Sequence, residues 1–151
     1  MQNFGSLCSD YIRRKLIKSK APTRPPQKYY LLRCDNMKNV IEEKSFDFAV
    51  RVVNLYKHLT ESKNEFVLSK QLLKSGTSIG ANVSEAQKAQ SKADFHSKMA
   101  IALKEANETL YWLKLLYRTD FLSQKEFESI EHDNREIVAI LTSVCRKTDD
   151  K

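Results

Sequence analysis

The chain has 151 residues, 41% of them hydrophobic, with three Gly, three Pro and a net charge of +7. That length suits one domain with a sizeable core, and so few turn residues leave little for a β-sandwich. No apolar run approaches the roughly 20 residues that span a bilayer. MQNFGSLCSDYIRRKLIK lacks the apolar centre of a signal peptide, so a cytoplasmic protein with no membrane partner is expected.

The positive charge is uneven. Residues 1–36 carry eight Lys or Arg against Asp10 and Asp35, whereas residues 37–151 carry 18 basic and 17 acidic residues. The high pI therefore describes the N-terminal stretch and not the domain. All three prolines, Pro22, Pro25 and Pro26, lie there. The segment PTRPPQ is expected to be extended, and residues 9–18 to form a short basic helix with few apolar positions. We therefore expect residues 1–36 to be a flexible, disordered basic extension, with Met37 as the natural start. The rival reading is an arm that touches nucleic acid or a membrane surface. Cys8, Cys34 and Cys145 share no metal-ligand spacing and read as isolated reduced thiols.

From residue 37 onward the periodicity predicts four helices. The first covers about 40–60, with Phe48, Val52, Leu55, Tyr56 and Leu59 at intervals of three and four. ESKNE, residues 61–65, reads as a polar connection. The second helix covers about 66–89, with Leu68, Leu72, Ile79, Val83 and Ala86 as its buried stripe. The third opens at SKAD, where Ser91 is a good N-cap and Asp94 resembles the acid of a capping box, and runs to about 118. Phe95, Met99, Ala102, Ala106, Leu110, Leu113 and Tyr117 mark its stripe. The fourth opens at SQKE, 123–126, an S-x-x-E capping box, and carries Phe127, Ile130, Ile137, Leu141 and Val144 to about 146. Four long helices with short links imply an all-α, antiparallel up-down four-helix bundle over residues 37–151.

The second helix holds Gly76 and Gly80, at a cost of about 2 kcal/mol in helix propensity relative to alanine. There is no GxxxxGK[ST] or GxGxxG pattern, and Lys70, Lys74, Glu85 and Lys88 exclude a membrane GxxxG dimer. At about 100° per residue Gly76 sits mid-stripe and Gly80 on its shoulder, with Ser69 and Ser84 nearby. These small residues predict a close helix neighbour. The third helix, with Ala100, Ala102 and Ala106, is the expected one.

Lys70, Lys74 and Lys88 fall on the back of the second helix, while Gln71, Ser75, Ser78 and Asn82 line the flank opposite Gly80. Residues 63–104 hold seven Lys against Glu65, Glu85 and Asp94, and residues 119–145 hold two basic and six acidic residues. A lysine face reads as solvated surface, a phosphate-binding face, or an interface with an acidic partner.

Three stretches in order, LLKSGTSIGANVSEA, SKADFHSKMAIALKEANETLYWLKLL and FLSQKEFESI, resemble the four-helix-bundle proteins encoded in intervening sequences of bacterial 23S rRNA genes. The same superfamily includes the accessory variability determinant protein of diversity-generating retroelements. The resemblance covers about residues 40–146. It implies an antiparallel four-helix bundle that assembles into a ring-like homopentamer. For the retroelement branch it implies a basic surface that binds RNA or DNA and a reverse transcriptase.

Enzyme chemistry finds little support. None of His58, His96 and His132 follows a Glu by three residues, as a di-iron bundle requires. No metal, cofactor or catalytic residue is expected. Glu105 and Glu108, one turn apart, are expected to meet Ser78 or Asn82 between helices, and Asn134 to act similarly at its stripe position. Tyr111 and Trp112 read as a helix or subunit interface, or as a stacking platform for bases. The leading functional expectation is a non-enzymatic oligomeric bundle serving nucleic acid or a ribonucleoprotein, with Lys70, Lys74, Lys88, Lys92 and Lys98 on phosphates. The alternative is a purely structural or protein-interaction bundle.

Overall fold

The computed structural model describes residues 27–149. They form four helices: α1 (Gln27–Lys63), α2 (Leu68–Gln87), α3 (Lys92–Arg118) and α4 (Gln124–Asp149). The bundle lies in the compact unit Asp35–Lys151. The expected basic helix at 9–18 and the extended stretch before Gln27 lie outside the described residues. The start of α1 differs from the expected position near residue 40. Residues 27–39 contain no Gly or Pro, so nothing stops a helix before the prolines at 25 and 26.

The predicted stripes turn inward except at Tyr56 and Leu110, which are half-buried outside the core. Phe48, Val52 and Leu59 of α1 meet Leu72, Ile79 and Val83 of α2, Met99, Ala102, Ala106 and Leu113 of α3, and Ile137 and Leu141 of α4 in one buried core. Full burial of a Val, Leu, Ile, Phe or Met side chain contributes about 1.5–3 kcal/mol. The cross-helix pairings run in opposite senses along neighbouring helices. Ser75 meets Thr109 and Glu85 meets Lys98 between α2 and α3. Lys44 meets Glu136 and His58 meets Glu126 between α1 and α4. The helices are thus antiparallel neighbours, and the all-α four-helix bundle expected from the spacing is the fold.

The helix ends are set locally. At α3, Ser91 Oγ accepts the Asp94 N–H at 3.1 Å, and Asp94 in turn accepts the Gln90 N–H at 3.2 Å. At α4, Glu126 accepts the Ser123 N–H at 2.9 Å while Ser123 Oγ accepts the Glu126 N–H at 3.4 Å, a reciprocal capping box. The Ser123 hydroxyl and N–H together hold the Glu126 carboxyl below its ordinary range against a desolvation cost. At the end of α3, Asp120 takes φ 62°. The Phe121 N–H then donates to Leu116 O at 3.0 Å and the Asp120 N–H to Tyr117 O at 3.2 Å, a Schellman motif with Asp where Gly is usual.

The α1–α2 turn corrects the expectation of a plain polar connection. α1 continues to Lys63, Asn64 takes φ 52°, and Glu65 is only 7% exposed. Its carboxylate accepts the N–H groups of Val67 (2.9 Å), Leu68 (2.8 Å) and Ser69 (2.6 Å), three donors that α2 leaves without intrahelical partners. Burial works against this charge, yet the backbone N–H groups and the Ser69 hydroxyl outweigh it and keep the Glu65 carboxyl below its ordinary value.

Candidate functional site

The glycines of α2 were expected to admit α3. They admit α1 instead. A Cβ on Gly76 would stand 2.8 Å from both methyl carbons of Val52, and one on Gly80 would stand 3.3 Å from the backbone oxygen of Ser45. Val is stiff at χ1, so the first clash has no easy escape. Ala102 and Ala106 are buried as expected, but in the centre of the bundle. Ser84 departs from its expected packing role. It is exposed and lines an open groove between α1 and α2, with Gly80, Ala81, Thr77, Ala49 and Phe46. Phe46 is 68% exposed and Val50, one turn on, 46%.

The expected inter-helix polar set also changes. Asn82 Nδ2 donates to the Ser78 backbone carbonyl at 2.8 Å, within α2. Glu108 accepts the Trp112 indole N–H at 3.2 Å, within α3, and the Glu105 backbone carbonyl accepts from Thr109, so the expected bonds between these glutamates and Ser78 or Asn82 are not formed among the described residues. Besides the exposed Glu85–Lys98 pair, the groups that cross between α2 and α3 among the described residues are the buried hydroxyls of Ser75 and Thr109, 3.0 Å apart. Thr109, seven residues beyond Ala102 on the same stripe, was the signal available in the sequence. Asn134 behaves as expected: it is fully buried and donates from Nδ2 to Ala106 O at 3.0 Å.

The five expected phosphate-binding lysines separate. Lys70, Lys74, Lys88 and Lys92 are exposed, and none forms an ion pair among the described residues. Lys98 is engaged: it pairs with Glu85, and that hydrogen bond raises its pKa above the ordinary 10.5. By helix rise, Lys70 and Lys88 lie about 27 Å apart, so the set forms no compact cluster. The opposite edge is different. Lys44 pairs with Glu136 at 2.9 Å, Arg51 with Asp133 and with Ser129 Oγ at 2.8 Å, and His58 Nε2 lies 3.7 Å from Glu126 Oε1. Lys44, Arg51 and His58 recur every seven residues, a spacing that places one face of α1 along α4.

The outward face of α3 carries a stripe overlooked in the sequence. Lys104, Tyr111 and Arg118 recur every seven residues and Lys114 lies beside them, all exposed. Among the described residues no three His, Cys, Asp or Glu side chains gather where they could hold a metal ion. No described helix is long and apolar enough to cross a membrane.

Comparison with known proteins agrees with this bundle. The family model described as 23S rRNA-intervening sequence protein matches residues 37–143. A crystal structure from Bacteroides thetaiotaomicron, described as a protein with unknown function from the S23 ribosomal protein family, is 56% identical to this chain. It covers 73% of this chain and 98% of its own, with a TM-score of 0.72. No curated protein matches the chain.

Proposed function

The chain belongs to the 23S rRNA-intervening sequence protein family, and from that premise we propose that it is a non-enzymatic, oligomeric accessory factor for nucleic acid or a ribonucleoprotein. The observation that carries the proposal is the state of its cations. Lys70, Lys74, Lys88 and Lys92 stand exposed without ion pairs among the described residues. Cations left unpaired can exchange their counterions for phosphates, which makes affinity fall steeply with salt. A cytoplasmic location accompanies this reading.

The test is binding of RNA and DNA oligonucleotides by the full chain across a salt series. The expected result is affinity at about 50 mM salt that weakens several-fold or more by about 200 mM. No binding at the lower salt, or binding that salt leaves unchanged, defeats the proposal. Mass by light scattering tests the oligomer, for which a pentamer is the expected state and a monomer the refuting one.

One observation favours a second reading, a protein-interaction bundle. Phe46 and Val50 are exposed beside the α1–α2 groove, an apolar edge over a floor of small residues. A protein partner retained after nuclease treatment, and lost on Phe46→Glu, would support it.

A further inference from the structure

Tyr111 is 58% exposed, the largest aromatic exposure on α3 among the described residues. Its ring is braced. Trp112 meets it edge-on, with centroids 4.9 Å apart and planes at 75°. The Trp112 indole is held in turn by its N–H to Glu108, at 3.2 Å. Trp112 is packed against the core, so the support under Tyr111 is fixed from within.

The surroundings of that ring are cationic. Lys104 lies two turns before it, Lys114 one turn after, and Arg118 two turns after. From Lys104 to Arg118 the rise is about 21 Å. None of the three forms an ion pair among the described residues. The acid one turn after Lys104, Glu108, accepts the Trp112 indole N–H at 3.2 Å instead of pairing with a lysine, and on neighbouring α4 Glu131 is paired with Arg135 at 2.8 Å.

We propose that the outward face of α3, with Tyr111 as a stacking platform and Lys104, Lys114 and Arg118 as phosphate contacts, binds single-stranded nucleic acid. A duplex hides its base faces in the stack, whereas an unpaired base offers one to an exposed ring. Cations spaced on both sides of the platform follow a backbone that runs along the helix, and stacking tolerates any base, so little sequence preference is expected. The proposal rests on the nucleic-acid reading above. It adds a strand class and a different set of residues from Lys70, Lys74, Lys88 and Lys92.

The experiment uses the full chain and a fluorescein-labelled oligouridine of about 20 nucleotides, alone and annealed to oligoadenosine. Tyr111→Ala is expected to weaken single-strand binding about tenfold, and to leave duplex binding and the melting temperature unchanged. Tyr111→Phe should retain affinity, since the ring remains. Lys104→Glu with Arg118→Glu should weaken binding and lower the salt slope by about 1.4. If the wild-type chain binds neither probe, both readings fall. If it binds and Lys70→Glu with Lys74→Glu weakens it while Tyr111→Ala and Arg118→Glu do not, only the α3 proposal falls. Equal loss on single strand and duplex refutes stacking. A change of oligomer mass with unchanged binding would assign Tyr111 to a subunit interface and overturn the proposal.

Discussion

The α1–α4 edge and the α2–α3 edge carry similar side chains but use them differently. On the first, two cations of α1 meet acids of α4, Lys44 with Glu136 and Arg51 with Asp133, and the His58 imidazole lies beside Glu126 at the same seven-residue interval. On the second, the described ion pair is Glu85 with Lys98 at one end, and the central link is uncharged and buried, Ser75 with Thr109. Among the described residues Lys70, Lys74, Lys104 and Lys114 form no ion pair on α2 and α3. A nearly neutral domain can therefore hold unpaired lysines on one side while the cations on the other are matched to acids. Net charge alone hides that division.

Charge reversal should separate the edges most strongly. Lys70→Glu, Lys74→Glu and Lys88→Glu together are expected to weaken oligonucleotide binding by about two orders of magnitude near 50 mM salt. Lys44→Glu with Arg51→Glu should change it far less. Fluorescence anisotropy on both variants decides this, and equal losses would erase the functional contrast.

The buried link comes next. Thr109→Val leaves the Ser75 hydroxyl deprived of its cross-helix partner, at an expected cost of about 1–3 kcal/mol in urea unfolding. The double variant with Ser75→Val should cost less than the sum of the singles. Simple additivity would show that the two hydroxyls do not depend on each other.

Glu65 governs the turn that leads from one edge to the other. Glu65→Gln is expected to destabilise by about 1–2 kcal/mol at pH 7, because the three N–H groups lose a charged acceptor. The pH dependence has a defined sign. The folded pKa lies below the ordinary 4.5, so this stabilisation is complete above about pH 4.5 and disappears as pH falls through the folded value. Thermal melts from pH 7 down to about pH 3 should show the Gln variant losing less stability than wild type.

The smallest effect belongs to the paired edge itself. The Arg51 and Asp133 side chains are 41% and 34% exposed. Arg51→Ala should cost no more than about 1 kcal/mol, and less at high salt. A larger loss would mean that its bonds to Ser129 matter more than the charge.

The sequence by itself determined the last three helices to within a few residues, the Ser91 and Ser123 caps and most of the buried stripes, because each depends on contacts within one or two turns. Ser91, Ser123 and Glu126 sit three residues from their partners, and an apolar period of 3.6 declares which face turns inward. It also carried the family. What only the tertiary structure decided was which neighbour each face meets. A wheel put Gly76 mid-stripe, yet only the packing shows that Val52 of α1, and not an alanine of α3, closes on it. A wheel placed Ser75 beside Ser78 and Asn82, yet Ser75 is buried against Thr109 of α3 while Asn82 bonds back to the Ser78 carbonyl on its own helix. Lys98 was read as a phosphate ligand until the turn between α2 and α3 brought Glu85 beside it. Periodicity fixes the direction of a face relative to its own axis. The partner across the gap is set by how four axes pack, and that depends on every stripe at once.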